Sequence, residues 1–278
     1  MSTPPSPVTK PAADPGKVVT PEARREAEKL VQRLFSNLAV TADRPLVVHS
    51  AFVGLARAGF DAHGVVDAMA AFLAPTTLLM PSMSWRSVNP ANPVFDELAT
   101  PGITGILSEI FRQRHATRRS LHPTHSVAAK GALADRLLEA HHLEDTPCHA
   151  RSPWGLLDDF GADVLLIGIG MERCTLIHHV EELVAPELYL QPPERRERYI
   201  CRDRFGKEIS MYTRRHLRLR RNFHIFEDAL AAQGGVRYAR EGAVLARAFR
   251  ADEMVPLALA MLRREPDLIL TRPTDLSA

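Results

Sequence analysis

Residues 174–182 read Cys-Thr-Leu-Ile-His-His-Val-Glu-Glu and follow an apolar run and a glycine, Gly170, after a gap of three residues. That order puts them at the N-terminus of a helix, at the carboxyl edge of a strand, where ligand sites of α/β sheets lie. On a helix, Thr175, His178, His179 and Glu182 fall near one face. His178 and Glu181, three residues apart, are within hydrogen-bonding reach. A carboxylate held on an imidazole fixes its tautomer and raises its basicity, as a general base requires. A buried histidine pair satisfied by its neighbours has the same spacing, so this segment alone leaves both readings open. Cys174 precedes His178 by four residues, but no third member or signature of a thiol nucleophile accompanies the pair. No Gly-x-Ser-x-Gly elbow occurs, which leaves covalent hydrolysis a minor reading.

Three other polar loops begin where apolar runs end. His49-Ser50-Ala51-Phe52-Val53-Gly54 offers backbone N–H groups that can face a phosphate. Its spacing matches neither a dinucleotide fingerprint nor a P-loop, and a capped helix entry explains it as well. Arg119-Ser120-Leu121-His122-Pro123-Thr124-His125-Ser126 carries two histidines that could ligate a metal. His-Glu-x-x-His is absent and no third ligand is evident, so a proline turn with backbone-bonded histidines is the plainer reading. Ser152-Pro153-Trp154-Gly155 has the cap and proline of a helix start.

The elements that must position these loops follow from periodicity. Thr20-Pro21-Glu22 opens a helix with Leu30, Val31, Leu34 and Leu38 at helical spacing. Short apolar strands are predicted over 46–50, 76–81, 124–129 and 163–169. Helices are predicted over 61–73, 105–114, 132–141 and 175–183. A hairpin over 199–209 turns at Phe205-Gly206, and helices near 223–233 and 251–263 complete the chain. Buried strands alternating with amphipathic helices define an α/β protein. The Pro-, Ser- and Ala-rich residues 1–19 are expected to be a disordered tail. Residues 20–278 are expected to form a single domain whose last third, from about 195, is a basic hairpin and helical subregion.

A chain of 278 residues, 45% hydrophobic and 24% charged, can bury a core without staples. Three widely spaced cysteines without a Cys-x-x-Cys pair argue against a disulfide framework or a Cys-rich zinc site and fit a reducing cytoplasm. No apolar run reaches about 18 residues, and the N-terminus lacks the pattern of a signal peptide, so a cytoplasmic protein without a membrane span is expected. Net charge is only +2, yet eleven Arg or Lys face three acids between Arg195 and Arg221. This segment is either a solvated face or a surface for phosphates or an acidic protein. Aromatic residues are 6%, with no aromatic-basic interleaving, which argues against nucleic acid as partner.

Taken in order, the His-Ser loop, the strand running into Pro81-Ser82-x-Ser84-Trp85, Arg119-Ser120-x-His122-Pro123-x-x-Ser126, Ser152-Pro153-Trp154, and the strand and glycines before Thr175-x-x-His178-x-x-Glu181 resemble the aminoglycoside 3-N-acetyltransferase family. The resemblance runs from about His49 to Glu182 and more loosely to residue 260. It implies an antibiotic-acetyltransferase α/β/α fold with a central mixed sheet, not the GNAT fold. It implies acyl transfer, usually acetyl from acetyl-CoA or another acyl-CoA, to a small-molecule amine without a metal. On that resemblance His178 is the base, Glu181 orients it and Thr175 sits beside the thioester. His49, Ser50, Ala51, Phe52, Val53 and Gly54 cradle the CoA pyrophosphate, and His122 and Ser126 line the pantetheine channel or the reacting carbonyl. Trp85, Asp96, His179 and Glu182 are candidates for the acceptor side, where a polycation calls for acidic lining. Two alternatives stand beside this: a donor carried by an acidic acyl carrier protein, which the basic segment would suit, and a homologue that binds without turnover. A monomer or a homodimer is expected.

Overall fold

In the computed structural model, residue 14 and residues 16–271 are described. The elements in chain order are α1 (Pro21–Asn37), β1 (Leu46–Ser50), α2 (Val53–Arg57), α3 (Ala62–Phe72), β2 (Leu78–Pro81), β3 (Val94–Asp96), α4 (Ile106–Arg114), β4 (Arg118–Arg119) and β5 (Val127–Lys130). There follow α5 (Ala134–Leu138), α6 (Pro153–Asp159), β6 (Asp163–Ile167), α7 (Leu176–Val184), α8 (Pro186–Tyr189), β7 (Glu197–Arg202), β8 (Glu208–Thr213), α9 (His224–Ala231), β9 (Arg237–Glu241), β10 (Val244–Arg250) and α10 (Ala251–Arg264).

Seven strands form one mixed sheet in the order β4-β5-β2-β1-β6-β10-β9. At its centre β1 runs parallel to β2 and β6, because helices cross over between them. β5 and β10 flank that centre antiparallel. Side chains alternate across the pleat, so Leu46 and Val48 join the core under α1, α3 and α4, whereas Val47 packs with α6, α7, α9 and α10 on the other face. The result is a three-layer α/β/α architecture, as the sequence resemblance implies. A smaller sheet, β3-β7-β8, closes on Val88, Phe95, Tyr199, Cys201 and Met211.

The tail expected over 1–19 falls mostly outside the described residues. In its described end Val19 is buried and His63 Nε2 lies 2.8 Å from the Asp14 carbonyl, while Gly16, Lys17 and Val18 are exposed. The larger difference lies near the C-terminus, where β9 and β10 extend the central sheet between the two expected helices. Arginines hid these strands from a hydrophobicity reading. Their charges are met in the fold, Arg247 by Glu227 at 2.6 Å and Arg237 by Asp163 at 2.5 Å. No helix among the described residues is long and apolar enough to cross a membrane.

Candidate active site

Strand β6 ends on Gly168, whose φ of +67° turns the chain; a Cβ there would approach the Ala51 carbonyl to 2.8 Å. The exits of β1 and β6 therefore meet, and α7 starts just beyond. Leu176, Ile177 and Val180 bury its apolar face. Thr175, at the N-cap position, is buried and makes no capping bond.

One turn on, His178 Nδ1 lies 2.8 Å from Glu181 Oε2. The other oxygen of Glu181 accepts from Arg221 Nε at 2.6 Å. Burial of this fully enclosed carboxyl would raise its pKa, but the His178 imidazole and the Arg221 guanidinium outweigh it and hold Glu181 below the ordinary carboxylate range. An ionised carboxylate only accepts, so Nδ1 of His178 carries the hydrogen and Nε2 keeps a free lone pair. The His178 side chain is 22% exposed, enough for a substrate to reach it.

Aromatic rings connect this imidazole to solvent. His216 stacks on His178 at 4.4 Å, and Phe223 meets it edge-on at 5.5 Å. His125 lies 5.5 Å from His216, and the half-exposed Trp85 lies 6.1 Å from His125. Burial, then the charge that His178 can carry, pulls the His216 pKa well below its usual value. Sequence reasoning did not single out His216, Arg221 or Phe223. His216 and Arg221 belong to the segment read as basic, Phe223 opens the helix expected near 223–233, and nothing in their local spacing signals that they converge on α7.

The other acid and imidazole of the segment point elsewhere. His179 donates from Nδ1 to the Cys148 carbonyl at 2.7 Å and is buried. Glu182 accepts the Cys148 N–H at 2.9 Å and lies 3.0 Å from His216 Nε2; burial pushes its carboxyl up to about 7. Both support the α7 frame from behind.

The arginine–histidine loop is held by its own side chains. Arg119 Nε donates to Ser126 Oγ at 3.0 Å, and Ser126 Oγ donates to the Ser82 carbonyl at 2.6 Å. His122 Nδ1 accepts from the backbone N–H of His125 at 3.0 Å, while its ring stacks on His141 at 4.5 Å. His122 and Ser126 have no exposed surface. They position His125 and the exit of β2.

At the exit of β1, His49 packs on Trp154 at 5.7 Å, and burial lowers its pKa to about 4. Ala51 N donates to the Ile167 carbonyl at 2.9 Å. Phe52 stands at the N-cap of the five-residue α2, and no side chain caps its first turn. A Cβ on Gly54 would come 2.6 Å from Val244 Cγ2, which fixes α2 close against β10. Ser152 caps α6 and Trp154 is core, so that loop has a folding role.

On the expected acceptor side, Asp96 caps its own turn through the N–H groups of Leu98 and Ala99 and lies 3.6 Å from Arg202. Glu97 is enclosed and holds Arg204 at 2.5 Å. The basic segment also pairs with two of its own acids, Glu208 and Glu197, and with Glu181 on α7. Arg202 pairs with Glu208 at 2.8 Å, Arg215 with Glu197 at 2.5 Å, and Arg221 with Glu181. Arg214 Nε donates to the Gln191 carbonyl at 2.6 Å.

Comparison with known proteins gives the same picture. Residues 47–263 match the family model described as aminoglycoside 3-N-acetyltransferase. Aminoglycoside N(3)-acetyltransferase IV from Salmonella sp. is 30% identical over 250 residues, covering 90% of this chain and 91% of that protein. The crystal structure of aminoglycoside acetyltransferase AAC(3)-IVa superposes with a TM-score of 0.71 at 26% identity, over 90% of this chain and 92% of that one. A variant of that enzyme in complex with gentamicin superposes at 0.70, with 25% identity over the same shares of both chains. AAC-IIIb, solved as a binary complex with CoASH, shares the fold with a TM-score of 0.69 at 20% identity, over 87% of this chain and 96% of that one. With the family model matching most of its length and a relative aligned almost end to end, the chain belongs to the aminoglycoside 3-N-acetyltransferase family.

Proposed function

We propose that the protein transfers an acetyl or related acyl group from acyl-CoA to an amine of an aminoglycoside-like small molecule, with His178 as general base. The observation that carries this reading is the buried Arg221–Glu181–His178 array ending in a free, accessible Nε2. An acceptor amine near pKa 9 is protonated at neutral pH and must lose a proton to attack. Once that proton has left to solvent, the neutral amine nitrogen bonds to the thioester carbonyl carbon, and His178 Nε2 takes the second proton that the nitrogen then sheds. The carbonyl oxygen becomes an oxyanion, and Thr175, one turn before His178, is the donor suited to it. The tetrahedral intermediate collapses, the carbon–sulfur bond breaks, and the imidazolium returns its proton to the leaving CoA thiolate. No step calls for a metal.

The uncapped first turn of α2, within the His49–Gly54 loop, suits the CoA pyrophosphate. Trp85 and the histidine rings behind it suit the acceptor entrance. His122 and Ser126 serve from behind by holding the loop that carries His125. A carrier-protein donor drew its support from an unpaired basic face. Of the eleven cations of that segment, Arg202, Arg204, Arg215 and Arg221 are engaged by carboxylates, which leaves a smaller basic face for a carrier protein than the sequence suggests. The intact array also favours turnover over binding alone.

Thiol release from acetyl-CoA, measured with a panel of aminoglycosides in the presence of a chelator, tests the reading. Acceptor-dependent release with an acetylated product of matching mass is expected. Hydrolysis without acceptor acylation, or turnover only with carrier-bound thioesters, would overturn it.

A further inference from the structure

Three side chains next to the array take no part in the proton or acyl transfer, although the His216 ring also borders the acceptor entrance. The Cys148 sulfur, a Glu182 carboxylate oxygen and a His216 ring nitrogen all lie within 4.8 Å of one another. Cys148 is fully buried, and the Glu182 and His216 side chains are 3% and 9% exposed. Although His216 Nε2 is 3.0 Å from Glu182, neither ring nitrogen makes a hydrogen bond of usable angle among the described residues. An unsatisfied buried donor or acceptor costs about 1–3 kcal/mol, so a group left in this state suits a ligand.

The donor set points to the kind of ligand. Thiolate, imidazole and carboxylate together match a borderline-soft divalent ion; magnesium and calcium prefer all-oxygen sites. Thiolate and carboxylate would neutralise a dication, so burying it leaves no net charge. In a tetrahedral zinc site the ligand atoms are about 3.5 Å apart, so the Glu182–His216 pair, at 3.0 Å, has to open slightly and the wider pairs, at most 4.8 Å, to close by up to about 1 Å. Its frame is braced, since His179 holds the Cys148 carbonyl and the Cys148 N–H holds Glu182. A second cluster, His178–Glu181–His216, has similar spacing. There Glu181 already binds His178 and carries the Arg221 guanidinium at 2.6 Å, which would repel a dication. The accessible His178 ring stacked on His216 marks the approach from solvent.

We propose that Cys148, Glu182 and His216 form a binding site for one zinc-class divalent ion, with its fourth position open to water. The probe is cobalt(II), added to the full-length, chelator-stripped protein. One equivalent should produce a sulfur-to-cobalt charge-transfer band and the intense visible bands of a four-coordinate ion, both displaced by zinc. Cys148→Ser should abolish the charge-transfer band and weaken zinc binding by at least about tenfold. Glu182→Gln should weaken it similarly while keeping the sulfur band. Cys174→Ser and His178→Ala should retain both. Absence of the sulfur band in wild type, or wild-type zinc affinity in both Cys148→Ser and Glu182→Gln, overturns the proposal. Loss of binding in His178→Ala overturns it too, by placing the ion on the other cluster. The readout is metal binding rather than turnover, so this test and the acyl-transfer assay fail independently.

Discussion

At the scale of single residues, two adjacent imidazoles are separated by their partners. His178 binds a carboxylate through Nδ1 and keeps an accessible Nε2, whereas His179 is buried against a backbone carbonyl. His178→Ala should therefore lower kcat about 10²–10⁴-fold, the usual weight of a general base, with little change in acyl-CoA affinity. His179→Ala should act mainly on stability, by about 1 kcal/mol for the lost hydrogen bond plus the packing it supported. Steady-state kinetics beside thermal unfolding of both variants checks the pair. A larger kcat loss in His179→Ala would move the base one residue along the helix. The Thr175-x-x-His178-x-x-Glu181 spacing was legible in the sequence because it lies within two turns of one helix. The partner of Glu181 was not, since Arg221 arrives from beyond the β7–β8 hairpin and only the tertiary fold brings it there.

Among elements, α2 has a placement that depends on a missing side chain. Gly54 has no Cβ, and one added there would strike Val244 on β10 at 2.6 Å. Valine is stiff at χ1 and cannot swing aside. Gly54→Ala should shift α2 away from the sheet and, if its N-terminus holds the CoA pyrophosphate, raise KM for acyl-CoA several-fold with a smaller effect on kcat. Adding Val244→Ala removes the clash, and alanine is also the better helix former by about 1 kcal/mol. The double variant should recover the wild-type KM; a persistent defect would mean that Gly54 matters for another reason. The strands β1, β2 and β6 were readable because both their faces are buried, which makes each a near-continuous apolar run. β10 was not, because its outward positions carry Arg247 and Arg250. The two-residue β4 is too short to have a period at all.

Across the whole molecule, the histidines that build the site also set its stability in acid. His49, His122 and His141 are enclosed and His125 is partly buried, and burial lowers the pKa of each, that of His49 to about 4 and those of the others well below the usual value. For the last three, neighbouring imidazoles add to the effect. In the unfolded chain the same groups titrate near pH 6.5. A folded-state pKa depressed in this way means that the unfolded chain binds more protons below about pH 6.5. The stability held by these groups is therefore complete above that pH and falls as the medium is acidified towards their folded values. Each histidine protonated only in the unfolded state contributes a slope of about 1.4 kcal/mol per pH unit. Several such groups acting together make this loss sizeable against a typical folding free energy of about 5–15 kcal/mol. Thermal unfolding in chelator should show Tm level from pH 8 to 7 and dropping steeply between pH 6 and 5. His49→Gln, which removes one of these groups without touching the histidine stack, should lessen that slope. A Tm that stays flat to pH 5 would mean that these rings take up protons in the native state, and that the row of imidazoles behind His178 is wetter than its burial implies.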